Sequence, residues 1–167
     1  MYVLDYHKQI ALIKEMVQLR KDNTREEAYY HHPSTNAIWK SYFPQANGGK
    51  RGPKVLRRTD IDTDKLEDQI RLCLGSDLRD DAAGLGVEFS VHPERWEQIL
   101  DIIEEHYQDF IRSQIKVFFQ HLGILDYEEF FAQMEFNFEQ IGIDESELKA
   151  LNKRARKILL KKLVFFW

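Results

Sequence analysis

The spacing of apolar residues after Pro93 constrains the fold of this chain more than any other feature. These residues recur three and four positions apart, which is the spacing of one face of an α-helix. Of the 21 aromatic residues in the chain, 13 follow residue 92, so this region is expected to supply most of the hydrophobic core. The first stripe consists of Trp96, Ile99, Leu100, Ile103, Tyr107, Phe110, Ile111, Phe118 and Leu122, which predicts one long helix.

Two glycines divide the region into three predicted helices. Gly123 and Gly142 each follow an apolar stripe, and glycine is well suited to end a helix. After each glycine comes an aspartate with a glutamate three residues later, which is the spacing of a capping box at a helix start. Because the connections are short, we expect neighbouring helices to run antiparallel and to form a bundle. The capping pairs are Asp126 with Glu129 and Asp144 with Glu147.

The first half of the chain has weaker helical signals. Residues 3–21 carry apolar residues at helical spacing, and short helices are predicted over residues 24–30 and 34–43, each ending before a proline. A further helix is predicted over residues 66–74, where Gly75 would end it. Taken together, these signals predict a mostly helical chain.

One segment shows the alternation that is typical of a strand. Residues 85–91 alternate apolar and polar side chains, and a strand there would need a mate, for which residues 54–56 are the candidate. The predicted fold is therefore all-α, with an antiparallel helical bundle in the C-terminal half and at most one short strand or hairpin at those two positions. We expect one domain: an N-terminal helical segment (1–45) packed on the rest, a basic flexible loop (46–59) and the bundle (60–167).

Charge is distributed unevenly along the sequence. Residues 50–58 carry five basic residues and residues 149–162 carry seven, with no acidic residue in either stretch. Residues 59–147, in contrast, contain 23 acidic and 6 basic residues, a local net charge of −17 that the total of −4 conceals. Such a pattern informs about binding partners rather than about fold.

Cysteine content and hydropathy bear on the cellular compartment. The single Cys73 excludes an internal disulfide framework and fits a reducing compartment. The first residues lack a basic leader region, and no apolar run approaches the roughly 20 residues that a membrane-spanning helix needs. We therefore expect a cytoplasmic protein without a membrane span.

Candidate reactive groups are few. Glu105, His106 and Asp109 would lie within about one helical turn, where an imidazole and two carboxylates could serve acid–base chemistry, although a partly buried structural histidine is the simpler interpretation. Residues 60–64 (DIDTD) begin like a calcium-binding loop but lack its essential glycine and glutamate. The carboxylate and two histidines within residues 27–32 could bind a metal only on a helix that continued past them. We therefore predict no catalytic residues, no metal site and no cofactor.

Apolar residues outside the helical stripes indicate an interaction surface. Phe136 lies off the stripe of its helix, and Phe165, Phe166 and Trp167 add three further aromatic rings. Exposed apolar groups of this kind mark protein interfaces. We therefore predict a non-enzymatic protein-interaction or regulatory module that binds a protein partner or a second copy of the chain. The acidic middle segment would attract a basic partner, as an inhibitor or immunity protein does.

The alternative is a nucleic-acid-binding accessory protein. A flexible cationic segment can follow a phosphate backbone and release counterions, which would assign the contacts to Lys50, Arg51, Lys54, Arg57 and Arg58, with help from the basic residues of the last helix. Because the whole chain is negatively charged, these cations would have to gather on one folded face.

Overall fold

The computed structural model describes residues 1–46, 50–136 and 141–164, and the side chains of the last helix as far as Lys161. In this part of the chain an antiparallel five-stranded sheet accompanies seven α-helices. The all-α prediction is therefore wrong, because strands make up most of the regular secondary structure in the first sixty residues. The prediction of helices over residues 24–30 and 34–43 is wrong for the same reason.

The sheet has the strand order β1-β5-β4-β3-β2, so β1 and β2 are its edges. Helix α1 (Tyr6–Lys14) connects the two edge strands. The strands are β1 (Tyr2–Val3), β2 (Val17–Asp22), β3 (Glu27–His32), β4 (Ala37–Tyr42) and β5 (Val55–Arg58).

Alternating burial explains why β3 is a strand. Ala28, Tyr30 and His32 are buried, whereas the residues between them are half-buried, which is the two-residue period of a strand with one covered face. Tight turns join the strands, and both Glu26 and Asn36 adopt positive φ there. The apolar residues that suggested a helix over residues 3–21 are shared between α1 and the exposed edge strand β2.

Helices account for most of the described residues after Arg58. The helix over residues 66–74 is confirmed, whereas in the segment 85–91, predicted as a strand, residues 85–89 end a helix and residues 90–91 form the turn after it. The predicted long helix is interrupted at residues 106–111 and forms two helices instead. The helices are α2 (Leu66–Leu74), α3 (Arg79–Phe89), α4 (Trp96–Glu105), α5 (Arg112–Leu122), α6 (Tyr127–Gln133) and α7 (Glu145–Val164), with short 3₁₀ turns at Pro93–Arg95 and Ile124–Asp126.

Helix α3 lies at the centre of the molecule because its small residues allow close packing. A Cβ atom at Gly86 would lie 2.7 Å from the carbonyl oxygen of Phe118 on α5, and one at Gly84 would lie 2.5 Å from the side chain of Tyr2 on β1. These two glycines therefore allow α5 to approach on one side of the helix and the sheet on the other.

The sheet is covered on both faces. Helix α1 packs on one face through Leu12 and Ile13, near the buried Leu56. Tyr2 and Val55 project from the other face into the main core, which the helices from α2 onward build. The molecule thus consists of α1, the sheet and a helical layer, in that order.

Candidate functional site

A polar cluster joins the sheet to α3. Glu88 accepts hydrogen bonds from the hydroxyl groups of Tyr2 and Tyr42, the latter at 3.0 Å, and pairs with Arg57 at 2.5 Å. Gln69 on α2 donates to the Tyr2 hydroxyl at 2.9 Å. Burial, followed by the negative charge of Glu88, raises the pKa of both tyrosines above their ordinary value of 10. Both phenols therefore stay protonated as donors, and the cluster links three strands to the helical layer.

Most cations of the predicted basic loop face carboxylates. Lys50 lies 3.7 Å from Glu135, Arg51 pairs with Glu26, and Arg57 belongs to the cluster around Glu88. Arg58 pairs with Asp60 at 2.5 Å, and Lys54, which is half-buried, accepts a hydrogen bond at its main-chain oxygen from Gln9. Residues 55–58 form β5 rather than a flexible loop. The five candidate nucleic-acid-binding residues are thus neighbours in sequence that do not form one open cationic face.

The last helix uses two of its cations to bind the acidic helices. Arg154 pairs with Asp101 at 2.5 Å and with Glu104 at 2.7 Å, both on α4. Arg156 donates to the main-chain oxygen of Leu125 at 2.6 Å and lies 3.3 Å from Asp126. The basic stretch 149–162 is therefore partly neutralised inside the molecule.

A groove lies between the starts of α4 and α7, and we call it the acidic groove. Its volume is about 370 Å³, and Pro93, Ile143, Ala150 and Leu151 supply its apolar lining. Three exposed carboxylates also line it. They are Glu94, Glu97 and Glu147.

The acidic groove repeats the surroundings of Arg154 two helical turns earlier. Glu94 and Glu97 precede Asp101 and Glu104 by seven residues each, and Glu147 precedes Arg154 by seven. Residues seven apart lie on the same face of a helix. Because both pairs of positions meet, α4 and α7 run in the same direction. Arg154 stands beside Asp101 and Glu104, whereas the corresponding residue of the acidic groove is Glu147, a third carboxylate.

The predicted partner-binding aromatics are placed only in part. Phe136 is half-buried and its ring lies 5.9 Å from that of Phe131, edge to face, at the margin of the core. Phe165, Phe166 and Trp167 lie outside the described residues. Their role in partner binding stays a prediction.

The candidate acid–base residues are separated by the end of α4. His106 follows the helix, with Nε2 2.9 Å from Glu67 on α2 and Nδ1 3.4 Å from Asp109. Glu105 is exposed and forms no ion pair with any described residue. The histidine therefore bridges two elements, as the structural interpretation expects, and its second carboxylate comes from α2 rather than from Glu105.

Comparisons and searches for other kinds of site add little. Within the described ranges, no group of three or more His, Cys, Asp or Glu side chains is arranged to hold a metal ion. None of the helices described combines the length and the apolar content that crossing a bilayer requires. In comparisons with known families, curated proteins and solved structures, nothing matches this chain.

Sequence reasoning missed the acidic groove because its residues come from two stretches, 93–97 and 142–151, that are far apart in sequence. The available signal was the seven-residue offset between the two sets of charges, and it has meaning only once α4 and α7 are known to be parallel neighbours. The acidity of the region was evident from composition, but its concentration at one groove was not.

Proposed function

We propose that this protein is a non-enzymatic interaction module that binds a basic protein partner through its acidic helical layer. The observation that carries the proposal is the acidic groove, which three carboxylates line and to which the described part of the chain contributes no lysine or arginine. Nδ1 of the neighbouring His92 lies 3.1 Å from Glu94. An arginine or lysine side chain of the partner would pack its aliphatic part against Leu151 and place its charge beside Glu97 and Glu147.

Arg154 is the internal precedent for this mode of binding. Its guanidinium donates from Nε and from one terminal nitrogen to Glu104 and reaches Asp101 with the latter. The hydrogen bonds to Glu104, followed by those to Asp101, raise the pKa of Arg154 above its ordinary value. A partner arginine in the acidic groove would find one carboxylate in the 3₁₀ turn before α4, one on α4 and a third on α7.

The surrounding surface supports electrostatic steering toward the groove. Among the described residues of the range 59–147, 18 acidic side chains are exposed, and 11 of these form no ion pair with another described residue. An uncompensated field of one sign raises the rate of encounter with an oppositely charged protein and makes it sensitive to salt. The single buried Cys73 fits a partner in a reducing, cytoplasmic compartment.

The nucleic-acid alternative has weaker local support. Four of its five candidate cations lie against carboxylates, so phosphate contacts there would have to displace existing ion pairs. Assembly of two copies through the aromatic residues at 136 and 165–167 remains the second form of the interaction hypothesis. Sedimentation velocity at two protein concentrations measures it directly.

The test uses a short capped peptide with one arginine as the probe, and the same peptide with citrulline as the control. Citrulline keeps the shape of arginine but removes its charge. We expect the arginine peptide to shift the amide NMR signals of Glu97, Ala150 and Leu151 at low salt, and the citrulline peptide to leave them in place. Glu97→Gln should weaken binding by about threefold, as for a partly exposed ion pair.

A second variant fills the groove from within. Ala150 is exposed and lies one turn before Arg154, so Ala150→Arg would place an arginine among the three carboxylates. We expect this variant to abolish the peptide-induced shifts, whereas Ala11→Arg, at an exposed position on α1, retains them. Equal binding of the citrulline peptide, or full binding to Ala150→Arg, would show that the groove does not select cations. If the chain bound a short oligonucleotide and Arg51→Ala abolished this binding, the nucleic-acid alternative would be favoured.

A further inference from the structure

A second groove is lined by β1, α1 and the start of α3. We call it the β1–α1 groove. Its volume is about 660 Å³, within the range of small-molecule sites in proteins. Apolar side chains supply much of its lining, and Lys8 and Arg79 stand at its margins. The apolar residues are Val3, Leu4, Leu12 and Leu78.

Main-chain hydrogen bonds fix the walls of this groove. Asp80 accepts from the amide nitrogens of Leu4 at 3.1 Å and Asp5 at 3.3 Å, and Asp5 caps α1 by accepting from the amide nitrogen of Lys8 at 2.9 Å. Asp81 accepts from the amide nitrogen of Tyr2 at 2.7 Å. The carboxylates of the lining are therefore held by the backbone, so the groove is formed before any ligand arrives.

The two cations of the groove have no such partners. Lys8 and Arg79 are exposed, and neither forms an ion pair with a described residue. Leu78, which precedes α3, is 59 % exposed. Covering its side chain with an apolar ligand would therefore be favourable. The two carboxylates of the lining already accept hydrogen bonds from backbone amides, whereas the two cations form no ion pair. An apolar wall beside such cations is complementary to a molecule with an apolar body and a negative charge.

We propose that the β1–α1 groove binds a small apolar organic anion, a carboxylate or sulfonate carried on an aromatic or alkyl body. The body packs against Leu12 and Leu78, and the anionic group lies between Lys8 and Arg79. This site is separate from the acidic groove and does not depend on the function proposed for it. The chain would thus carry a cation-selective groove on its helical layer and an anion-selective one beside the sheet.

The probe for this proposal is 8-anilinonaphthalene-1-sulfonate, an aromatic sulfonate whose fluorescence rises in an apolar site. We expect saturable binding of one probe per chain to the native protein, weakened by salt. Lys8→Glu and Arg79→Glu should each weaken binding by about fivefold, as reversal of a partly exposed charge does. Arg79→Glu is the sharper variant, because a carboxylate in the first turn of α3 is favourable for the helix and the fold is retained.

Two matched controls separate the groove from general surface binding. Leu78→Asp should abolish the signal, whereas Leu160→Asp, on α7 and 60 % exposed, should leave it intact. Lys14→Glu, on α1 outside the groove, should bind as the unmodified chain does. Equal losses in Leu78→Asp and Leu160→Asp, or affinities unchanged in both charge reversals, would overturn the proposal. Binding of the uncharged dye Nile red with the same dependence on Lys8 and Arg79 would also overturn it.

Discussion

Individual side chains in the core of this protein are held in their uncharged forms, and Cys73 is the clearest case. Its side chain is fully buried, and burial, followed by the charge of Asp81, raises the pKa of its thiol. Reaction with a disulfide reagent requires both access and a thiolate. We predict that Ellman's reagent modifies no thiol of the folded chain at pH 8 within an hour and one thiol per chain in guanidinium chloride. Stoichiometric modification of the folded chain within minutes would contradict this packing.

The raised pKa values of the two tyrosines that contact Glu88 should make the stability of the fold depend on pH in the alkaline range. The pKa of Tyr2 and of Tyr42 is raised in the folded protein, so above pH 10 the unfolded chain releases protons that the folded chain retains. Their contribution to stability is complete below pH 10 and is lost as pH rises, at up to about 1.4 kcal/mol per pH unit for each group.

Urea denaturation between pH 9 and pH 11 measures this effect. We expect Tyr42→Phe to lower stability at pH 8, through loss of its hydrogen bond to Glu88, and to reduce the fall in stability above pH 10. Tyr6→Phe, at an exposed position, is the matched substitution. An unchanged slope in Tyr42→Phe would show that the phenol ionises in the folded state as readily as in the unfolded one.

At the level of the elements, two helix-ending glycines that look equivalent in sequence differ in their surroundings. Gly123 and Gly142 both have positive φ, 83° and 73°, which disfavours any other residue. A Cβ atom at Gly123 would in addition lie 2.5 Å from the ring of Phe130, whereas one at Gly142 would meet nothing within 4 Å. We predict that Gly142→Ala costs about 1 kcal/mol, from backbone strain alone, and that Gly123→Ala costs about 2–3 kcal/mol. Thermal denaturation of both variants gives the comparison, and equal losses would contradict it.

The sequence predicted helix ends better than it predicted what lies between them. The capping box at Asp144 is confirmed, since the Asp144 side chain accepts from the amide of Glu147 at 2.9 Å and its own amide donates to the Glu147 side chain at 3.2 Å. The identical spacing at Asp126 gives a helix start without a side-chain cap, because a 3₁₀ turn occupies residues 124–126. The spacing of aspartate and glutamate therefore predicts where a helix starts. Whether the aspartate side chain caps that helix depends on the conformation of the preceding residues.

Strands were missed where their pairing depends on residues far away in sequence. β1 pairs with β5, about fifty-five residues later, so the residues around Tyr2 carry no local pattern that predicts a strand. The alternation from Leu85 to Val91 resembles a strand, but Leu85 to Phe89 are helical, and Gly86 is the position at which this helix meets α5 closely. The acidic groove was out of reach for the same reason, since it needs the relative direction of two helices.

On the scale of the whole molecule, the sheet and the helical layer differ in charge and are joined by polar contacts between them. Residues 1–58 carry 11 basic and 5 acidic residues, so the positive sheet region faces the strongly acidic region 59–147. Glu88 on α3 and Arg57 on β5 form the pair at this boundary, and Asp81 accepts hydrogen bonds from the first residues of the chain. These contacts join the layers through charged groups that are largely withdrawn from solvent.

We therefore predict that the two layers lose their structure together. Hydrogen exchange in low urea should give the slowest amides of β5 and of α3 the same free energy of opening, since neither layer keeps its buried polar groups satisfied alone. Glu88→Gln should lower both values equally, by about 1–3 kcal/mol, because Arg57 is left without its charge partner. Glu97→Gln, at an exposed position on α4, should lower neither. If Glu88→Gln reduced protection in β4 and β5 while α3 and α5 kept theirs, the helical layer would be stable by itself, and the charge pair at the boundary would serve only to position the sheet.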